Sequence, residues 1–137
     1  MMNDDILALL VHDRKMPMEH LESALNALFV RTFSLGTCRE LRSLVREVHA
    51  DLVFTDTVLP DGSWGDVVDL MREAGTGASV VTVGSHEDVK LYCSILDRGG
   101  FDLVLPPFES QELKFVVDSA LHNTRFRLRE LARVGHA

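Results

Sequence analysis

The chain has 137 residues, of which 46% are apolar and 26% charged, so it has the size of one globular domain with a single hydrophobic core. Its formal net charge of −7 argues against nucleic-acid binding by the body of the domain, because phosphate contacts need clustered lysine and arginine. The two cysteines, Cys38 and Cys93, lack the spacing of a disulfide framework or a structural zinc site, and both are predicted to be core or half-buried thiols.

The first apolar stretch, residues 6–11, is too short to span a membrane and lacks the basic flank of a signal peptide. We therefore expect a cytoplasmic protein that makes no membrane contact. The same stretch is predicted to be the first of several buried parallel strands. Further apolar runs of this kind follow at 52–55, 80–83 and 103–105, and a weaker candidate lies at 29–33.

Segments with helical periodicity separate the predicted strands. The positions that share a helix face are, in chain order, Leu21, Leu25 and Leu28; Leu41, Leu44 and Val48; Val67, Val68 and Met71; and Val89, Tyr92 and Ile95. Capping-box spacings indicate helix starts at three places, which are Thr37 with Glu40, Ser63 with Asp66, and Ser85 with Asp88.

Strand and helix alternate five times, which implies a parallel sheet with right-handed crossovers. In a chain of this length the order favours a flavodoxin-like, doubly wound α/β fold, with a five-stranded parallel sheet in the order 2-1-3-4-5 and helices on both faces. Flavin binding is disfavoured, because the loop after the first strand, residues 12–16, lacks the glycines and hydroxyls of a flavin phosphate loop.

The final helix is predicted over 111–134, with Leu113, Val117 and Leu121 packed on the sheet. Beyond them the helix continues as a basic amphipathic segment. We therefore divide the chain into a domain at 1–123 and a helical extension or linker at 124–137. The extension is equally compatible with a solvated helix end and with a dimer contact.

Asp56 follows the apolar run 52–55 and precedes a turn that contains Pro60 and Gly62. In an open α/β sheet, ligands and chemistry collect at the carboxyl ends of the strands. A carboxylate in that position is well placed to accept a phosphoryl group.

Several strings in the chain are similar to the receiver domain of two-component response regulators, and the resemblance covers residues 6 to about 121. They include an acidic position after the first strand, Asp56 with its turn, and a segment near the last strand. That segment matches the family position by position at Gly100, Phe101, Asp102, Leu103, Pro107 and Phe108. In the family, the proline at the position of Pro107 follows a cis peptide bond.

The resemblance implies that Asp56 is phosphorylated by a histidine kinase or a phosphotransfer protein. It also implies a Mg²⁺ site formed by Asp13, Asp56 and the carbonyl group of Val58. His12 occupies the place of one acidic residue, and weaker Mg²⁺ binding is the expected consequence, because Mg²⁺ prefers oxygen ligands. We expect His12 to be partly exposed and stabilised by Asp13 or Asp56.

Other family positions are also substituted. Gly84 stands where receivers have a hydroxyl residue; the neighbouring Ser85 is the nearest substitute, but capping the next helix is its expected role. Pro106 replaces the family's lysine, and Leu103 its aromatic switch residue. Arg14 is placed to reach inward for the missing lysine, although a solvated surface arginine is the expectation.

Three functions are compatible with these residues. The preferred one is a receiver with Asp56 as phosphoacceptor and impaired or atypical chemistry, which is a signalling module and not an enzyme. The alternative is a phosphorylation-independent module that acts through protein contacts. A metal-dependent hydrolase using His12, Asp13 and Asp56 has less support.

The partner surface follows from the resemblance as well. Partners, including a second copy of the chain, are expected on the face made by the fourth helix, the last strand and the last helix, with Leu103 and Phe108 as contacts, or along the C-terminal helix. That helix is similar to the connector that follows receivers of enhancer-binding transcription regulators. Trp64 is expected to be a half-buried cover of the nearby loop, from which it could also shield Asp56.

Overall fold

A computed structural model describes residues 5–135, with side chains up to residue 133. Strands and helices alternate as the apolar periodicity predicts, and a short hairpin is added before the third helix. In chain order the elements are β1 (Ile6–Val11), α1 (Met18–Ala27), β2 (Val30–Leu35), α2 (Cys38–Leu44), β3 (Leu52–Asp56), β4 (Val58–Leu59), β5 (Gly62–Ser63), α3 (Trp64–Ala74), β6 (Ser79–Val83), α4 (Val89–Arg98), β7 (Asp102–Val104) and α5 (Ser110–Gly135).

Five parallel strands form one sheet in the order β2-β1-β3-β6-β7. The hairpin β4-β5 lies outside this sheet, so the order is the predicted 2-1-3-4-5, and the flavodoxin-like doubly wound fold is confirmed. Because all five strands run in the same direction, their carboxyl ends share one edge, and Asp56 ends β3 on that edge.

The hydrophobic core has two layers because successive residues of a strand face opposite sides of the sheet. Leu10 and Phe54 pack with α1 and α5 on one face, and Leu9 and Val53 pack with α2 and α3 on the other. All four side chains are fully buried. Burial on both faces explains why these strands are continuous apolar runs and do not alternate with polar residues.

Two of the three predicted helix starts are confirmed. Thr37 caps α2, and its hydroxyl oxygen accepts a hydrogen bond from the amide of Glu40. Ser63 caps α3, and its own amide donates to the carboxylate of Asp66. The prediction for Ser85 is wrong: α4 begins at Val89, and the cap is the Asp88 side chain, which accepts from the amide of Leu91.

The prediction that both cysteines are buried or half-buried holds for one of them. Cys38 is buried at the start of α2, and burial raises the pKa of its thiol to about 11, with further contributions from the charges of Asp61 and Asp66. The thiol is therefore protonated at neutral pH. Cys93 lies on the exposed side of α4, so the prediction is wrong there.

Asp61 adds a second cap to α2 from outside the helix. Its carboxylate accepts hydrogen bonds from the amides of Cys38 and Arg39, at 2.8 and 3.0 Å. These amides belong to the first turn of α2, where backbone donors have no partner within the helix. The bond from Cys38 is the largest cause of a pKa of Asp61 that lies below its ordinary value.

Asp61→Asn is expected to flatten the loss of stability in acid. A carboxyl group with a lowered folded pKa contributes stability above its unfolded pKa, which is about 3.9, and that contribution disappears as the pH falls through the folded value. Urea unfolding of wild type and Asp61→Asn between about pH 6 and pH 2 measures the difference. Asp97→Asn, at an exposed carboxylate on α4, is the matched control. If the free energy of unfolding changed with pH in the same way for Asp61→Asn and wild type, the Asp61 cap would make no pH-dependent contribution to stability.

Helix α4 is attached to the domain by few buried contacts. Ile95 is its buried residue, whereas Val89 and Tyr92, which share the predicted apolar face, are exposed. Its C-terminal end is held to α3 by Arg98, which donates to both carboxylate oxygens of Asp69 at 3.2 and 2.6 Å and lowers the pKa of that carboxyl group. The start of α4 is therefore less tightly packed than its end.

Helix α5 is continuous from Ser110 to Gly135, so the predicted domain boundary at 123/124 falls inside it. Leu113, Val117 and Leu121 are buried on the sheet as predicted. Residues 136–137, which belong to the predicted extension, lie outside the described residues. Within the described part of the chain, no helix combines the length and apolar character that a membrane crossing requires.

A buried polar cluster joins α5 to the amino-terminal ends of β3 and β6. The Thr124 hydroxyl donates to the carbonyl of Asp51 at 2.9 Å and accepts from the amide of Ser79 at 3.1 Å. The Ser79 hydroxyl reaches the carbonyl of Ala120 at 2.9 Å and also receives a bond from Asn123. These contacts fix the position of α5 at the sheet edge opposite Asp56.

Candidate functional site

Asp56 ends β3 with its side chain almost completely buried, 2% exposed. One carboxylate oxygen, Oδ1, accepts a hydrogen bond from the amide of Thr57 at 2.7 Å. A buried carboxylate needs a counter-charge or several donors to remain ionised. The residue that supplies the counter-charge therefore determines what the site can do.

The guanidinium group of Arg14 supplies it. Arg14 Nε donates to Asp56 Oδ2 at 3.0 Å, and Nη2 donates to Oδ1 at 2.8 Å, so the pair is bidentate. The hydrogen bond to Asp56, followed by the opposite charge, raises the pKa of Arg14 above its ordinary value. Arg14 thus reaches inward, the less favoured of the two predictions, while 61% of its side-chain surface stays exposed, as expected for a surface arginine.

His12 braces the loop that carries Arg14. Its Nδ1 lies 2.7 Å from the carbonyl oxygen of Arg14, and its Nε2 lies 3.3 Å from the hydroxyl of Ser34 on β2. Because a carbonyl only accepts, Nδ1 carries a proton. His12 is half-buried as predicted, but the expected partner, Asp13 or Asp56, is wrong. Asp13 is exposed on the same loop.

Two leucines fill the space beside Gly84, where the family's hydroxyl residue would stand. A Cβ atom added to Gly84 would lie 3.1 Å from Leu103 Cδ1 and 3.1 Å from Leu105 Cδ2. Those distances are too short unless the leucines move. Leu103 and Leu105 thus pack closely against Gly84, and a serine or threonine side chain at position 84 would require both leucines to shift.

Ser85 does not cap α4, and Pro106 does not supply the cation of the family's lysine. The Ser85 hydroxyl lies 3.2 Å from His86 Nδ1 in the exposed loop before α4. Pro106 is half-buried, and the bond between Pro106 and Pro107 is cis, as the resemblance implied. A proline has no charged group, so Arg14 is the cation that the structure places on Asp56.

The residues present do not fit a magnesium ion in this arrangement. Among the described residues there is no group of three or more histidine, cysteine, aspartate or glutamate side chains able to hold a metal. Arg14 occupies both carboxylate oxygens of Asp56, and both ring nitrogens of His12 already have partners. The predicted set of Asp13, Asp56 and the Val58 carbonyl therefore stays a prediction, and the hydrolase hypothesis gains no metal cluster from the described residues.

Trp64 is half-buried at the start of α3, as predicted for a cover of the loop. Its amide donates to the carbonyl of Thr57 at 3.1 Å, directly after Asp56 in the chain. The guanidinium carbon of Arg98 lies 6.0 Å from the centre of its ring. Trp64 thus links the segment after Asp56 with the end of α4.

Solved structures show the same architecture. The signal receiver domain of a putative LuxO repressor protein from Vibrio parahaemolyticus has a TM-score of 0.78 and 23% identity over 94% of this chain and 98% of that one. A beryllofluoride-activated receiver domain dimer of NtrC4 has a TM-score of 0.76 and 19% identity, over 86% of this chain and 98% of that one. At these identities the likeness establishes the fold.

The sequence establishes the family. The model of the response regulator receiver domain matches residues 8–118, so this chain belongs to the response regulator receiver domain family. The response regulator protein PilR of Pseudomonas aeruginosa is 30% identical over 114 residues, which are 83% of this chain and 26% of that protein. The chain therefore spans about a quarter of the length of this relative.

Members of the receiver domain family share several general properties. Receiver domains act in two-component signalling, interact with histidine kinases or phosphotransfer proteins, and accept a phosphoryl group on an aspartate. They generally bind Mg²⁺ at that site, and they are signalling regulators and not classical enzymes. In this chain the Arg14 pair with Asp56 is the feature that sequence reasoning named only as the less favoured alternative, because the direction of the side chain depends on the fold of the 12–17 loop.

Proposed function

We propose that this domain receives a phosphoryl group on Asp56 from a histidine kinase or phosphotransfer protein, and that the Arg14 ion pair impairs this reaction. The observation that supports the proposal is the position of Asp56, buried at the carboxyl end of β3 with both oxygens held by one guanidinium group. The acceptor carboxylate is in place, but each of its oxygens is hydrogen-bonded to Arg14.

The chemistry explains the impairment. An Asp56 oxygen must form a bond to phosphorus while the bond from phosphorus to the donor nitrogen breaks, and the leaving imidazole takes up a proton. The attacking oxygen first has to lose its hydrogen bond to Arg14. The guanidinium can then stabilise the phosphoryl oxygens in place of the absent lysine, because it binds planar oxygen pairs through parallel donors.

Signal output would also differ from that of a receiver with a hydroxyl residue at position 84. Gly84 has no hydroxyl group that could follow a phosphoryl group, and Leu103 and Leu105 pack closely beside it. A ligand shifts an equilibrium only through contacts that differ between two states. Any switch in this domain must therefore act through Arg14 and its loop.

A second candidate is a phosphorylation-independent interaction module. Arg14 already neutralises the charge of Asp56 in the unphosphorylated protein. The site is therefore in a stable, paired arrangement without any phosphoryl group. In that case partners recognise one fixed surface. The same ion pair thus supports both candidates, which differ in whether Arg14 ever releases Asp56.

The partner surface in either case is the face formed by α4, β7 and α5. Val89, Tyr92 and Phe115 are exposed apolar residues of its two helices, and such residues are enriched at protein interfaces. Leu103, on β7, and Phe108, in the segment before α5, are half-buried. The NtrC4 receiver was solved as a dimer, and a second copy of this chain is one candidate partner. Phe126, exposed further along α5, is the partner contact of the C-terminal helix in this proposal.

Incubation with acetyl phosphate and magnesium chloride tests the proposal. Wild type is expected to gain the mass of one phosphoryl group slowly and incompletely, and Asp56→Asn to gain none. Mapping the modified peptide to Asp56 distinguishes the acceptor from other carboxylates. No mass gain at high donor concentration supports the phosphorylation-independent module, and fast stoichiometric modification contradicts the proposed impairment.

A further inference from the structure

The cation beside Asp56 belongs to the protein itself. Arg14 binds both carboxylate oxygens, at 3.0 and 2.8 Å, in the parallel geometry that guanidinium and carboxylate groups share. The contact reaches a side chain that is 2% exposed. A divalent ion would need to coordinate at least one of these oxygens at about 2.1 Å, and it would share that oxygen with a guanidinium donor of like charge.

The loop that carries Arg14 is held in the conformation that makes this contact. His12 Nδ1 donates to the carbonyl of Arg14 at 2.7 Å, and its Nε2 faces the Ser34 hydroxyl at 3.3 Å. The backbone of Arg14 is therefore tied to the end of β1 and to β2. Its side chain needs little additional ordering to reach Asp56, which lowers the entropic cost of the ion pair.

His12 and Arg14, the two unusual residues of this loop, both weaken metal binding. His12 stands where a carboxylate would help to hold a metal, and both of its nitrogens have other partners. Arg14 brings a positive charge that repels a divalent ion and neutralises the remaining buried carboxylate. Each change weakens a metal site, and Arg14 also supplies a positive charge in place of the metal's.

We propose that Arg14 is the resident cation of this site in place of a divalent metal, and that Mg²⁺ reaches Asp56 only when Arg14 is removed. This inference rests on the proposed function in taking Asp56 as the reactive centre. It deepens that function, because it names the cation that neutralises the acceptor before any phosphoryl group arrives.

The experiment measures Mg²⁺ binding to the full chain without any phosphodonor. Magnesium chloride is titrated against wild type, Arg14→Gln, Arg14→Ala and Asp56→Asn, with sodium chloride matched for ionic strength. The melting temperature and the fluorescence of Trp64, the single tryptophan, are the two readouts. Arg14→Gln keeps one donor for Asp56 in case Arg14→Ala does not fold. Arg46→Gln is the matched control at another exposed arginine.

Wild type and Arg46→Gln are expected to show no Mg²⁺-specific change. Arg14→Gln or Arg14→Ala is expected to gain about 5 °C in melting temperature at roughly ten times the dissociation constant, by mass action on the folded state. Adding Asp56→Asn to either variant must abolish the gain. His12→Asp with Arg14→Ala, which adds a third carboxylate to the loop, is expected to bind Mg²⁺ more tightly than Arg14→Ala alone.

Two results would overturn the inference. One is an Asp56-dependent Mg²⁺ response of wild type, which would show that Arg14 does not exclude the metal. The other is an absent response in both Arg14 variants, which would show that Arg14 is not what excludes it. Phosphorylation by acetyl phosphate is read separately by mass. Failure of the proposed function, with no modification of Asp56, is therefore distinguishable from failure of this inference.

Discussion

Replacement of Arg14 by alanine is expected to lower the free energy of unfolding by about 2 kcal/mol. The substitution leaves the Asp56 carboxylate buried with the Thr57 amide as its remaining donor from this site. Removing one partner of a fully buried ion pair costs more, about 3 to 5 kcal/mol. The value here is smaller because the Arg14 side chain is 61% exposed, so solvent screens the pair.

Replacement of Asp56 is expected to cost less stability than replacement of Arg14. Asp56→Asn removes the buried charge and leaves Arg14 with access to water, so stability should stay within about 1 kcal/mol of wild type. Urea unfolding of both single variants and the double variant gives the coupling energy, expected at about 1 to 2 kcal/mol. Equal losses for the two single variants, with no coupling, would contradict the ion pair.

Thr124→Val is expected to cost about 3 kcal/mol, although valine has nearly the same shape as threonine. The hydroxyl is the hydrogen-bond acceptor for the amide of Ser79 and a donor to the carbonyl of Asp51. Both Thr124 and Ser79 are buried, at 1% and 0% exposure, so water cannot replace the lost partner. An orphaned buried amide is among the costly defects of a point mutation.

Thr124→Ser is the matched control for that substitution. It keeps the hydroxyl and deletes one methyl group, for which a loss of about 1 kcal/mol is expected. Chemical unfolding monitored by Trp64 fluorescence compares the two variants. If Thr124→Val were no more destabilising than Thr124→Ser, the hydrogen bonds of the cluster would contribute nothing beyond packing.

The sheet could be predicted from the sequence because its strands are buried on both faces. Runs such as 52–55 and 80–83 are continuous apolar segments, and their alternation with helices leaves few topologies open. The strands β4 and β5 were missed because each has only two residues and lies in the turn after Asp56. Hydrophobic periodicity carries no signal at that length.

The errors at α4 have a different origin. Ser85 and Asp88 are both residues that favour helix caps, and the sequence pattern does not show which one ends the loop. Periodicity likewise identifies an apolar face at Val89 and Tyr92, but not whether another element covers it. Both questions depend on tertiary structure, in which α4 packs against β7 and α3.

At the candidate site, the position of Asp56 could be predicted from the sequence, but its contact with Arg14 could not be established from it. Asp56 lies at the predicted strand end because the length of an apolar run defines where the strand stops. Arg14 has a long side chain whose direction depends on the loop conformation, and that conformation depends on His12 and Ser34, 22 residues apart in the chain. No short-range pattern encodes such a contact.

The buried cluster around Thr124 makes the end of α5 a lever arm. From Thr124 to Gly135 the helix runs roughly 16 Å at its usual rise per residue. A rotation of about 10° around that anchor moves the far end by about 3 Å, larger than many helix shifts at subunit interfaces. A small change in the tilt of α5 at the sheet therefore produces a larger displacement for any molecule bound to the last turns of the helix.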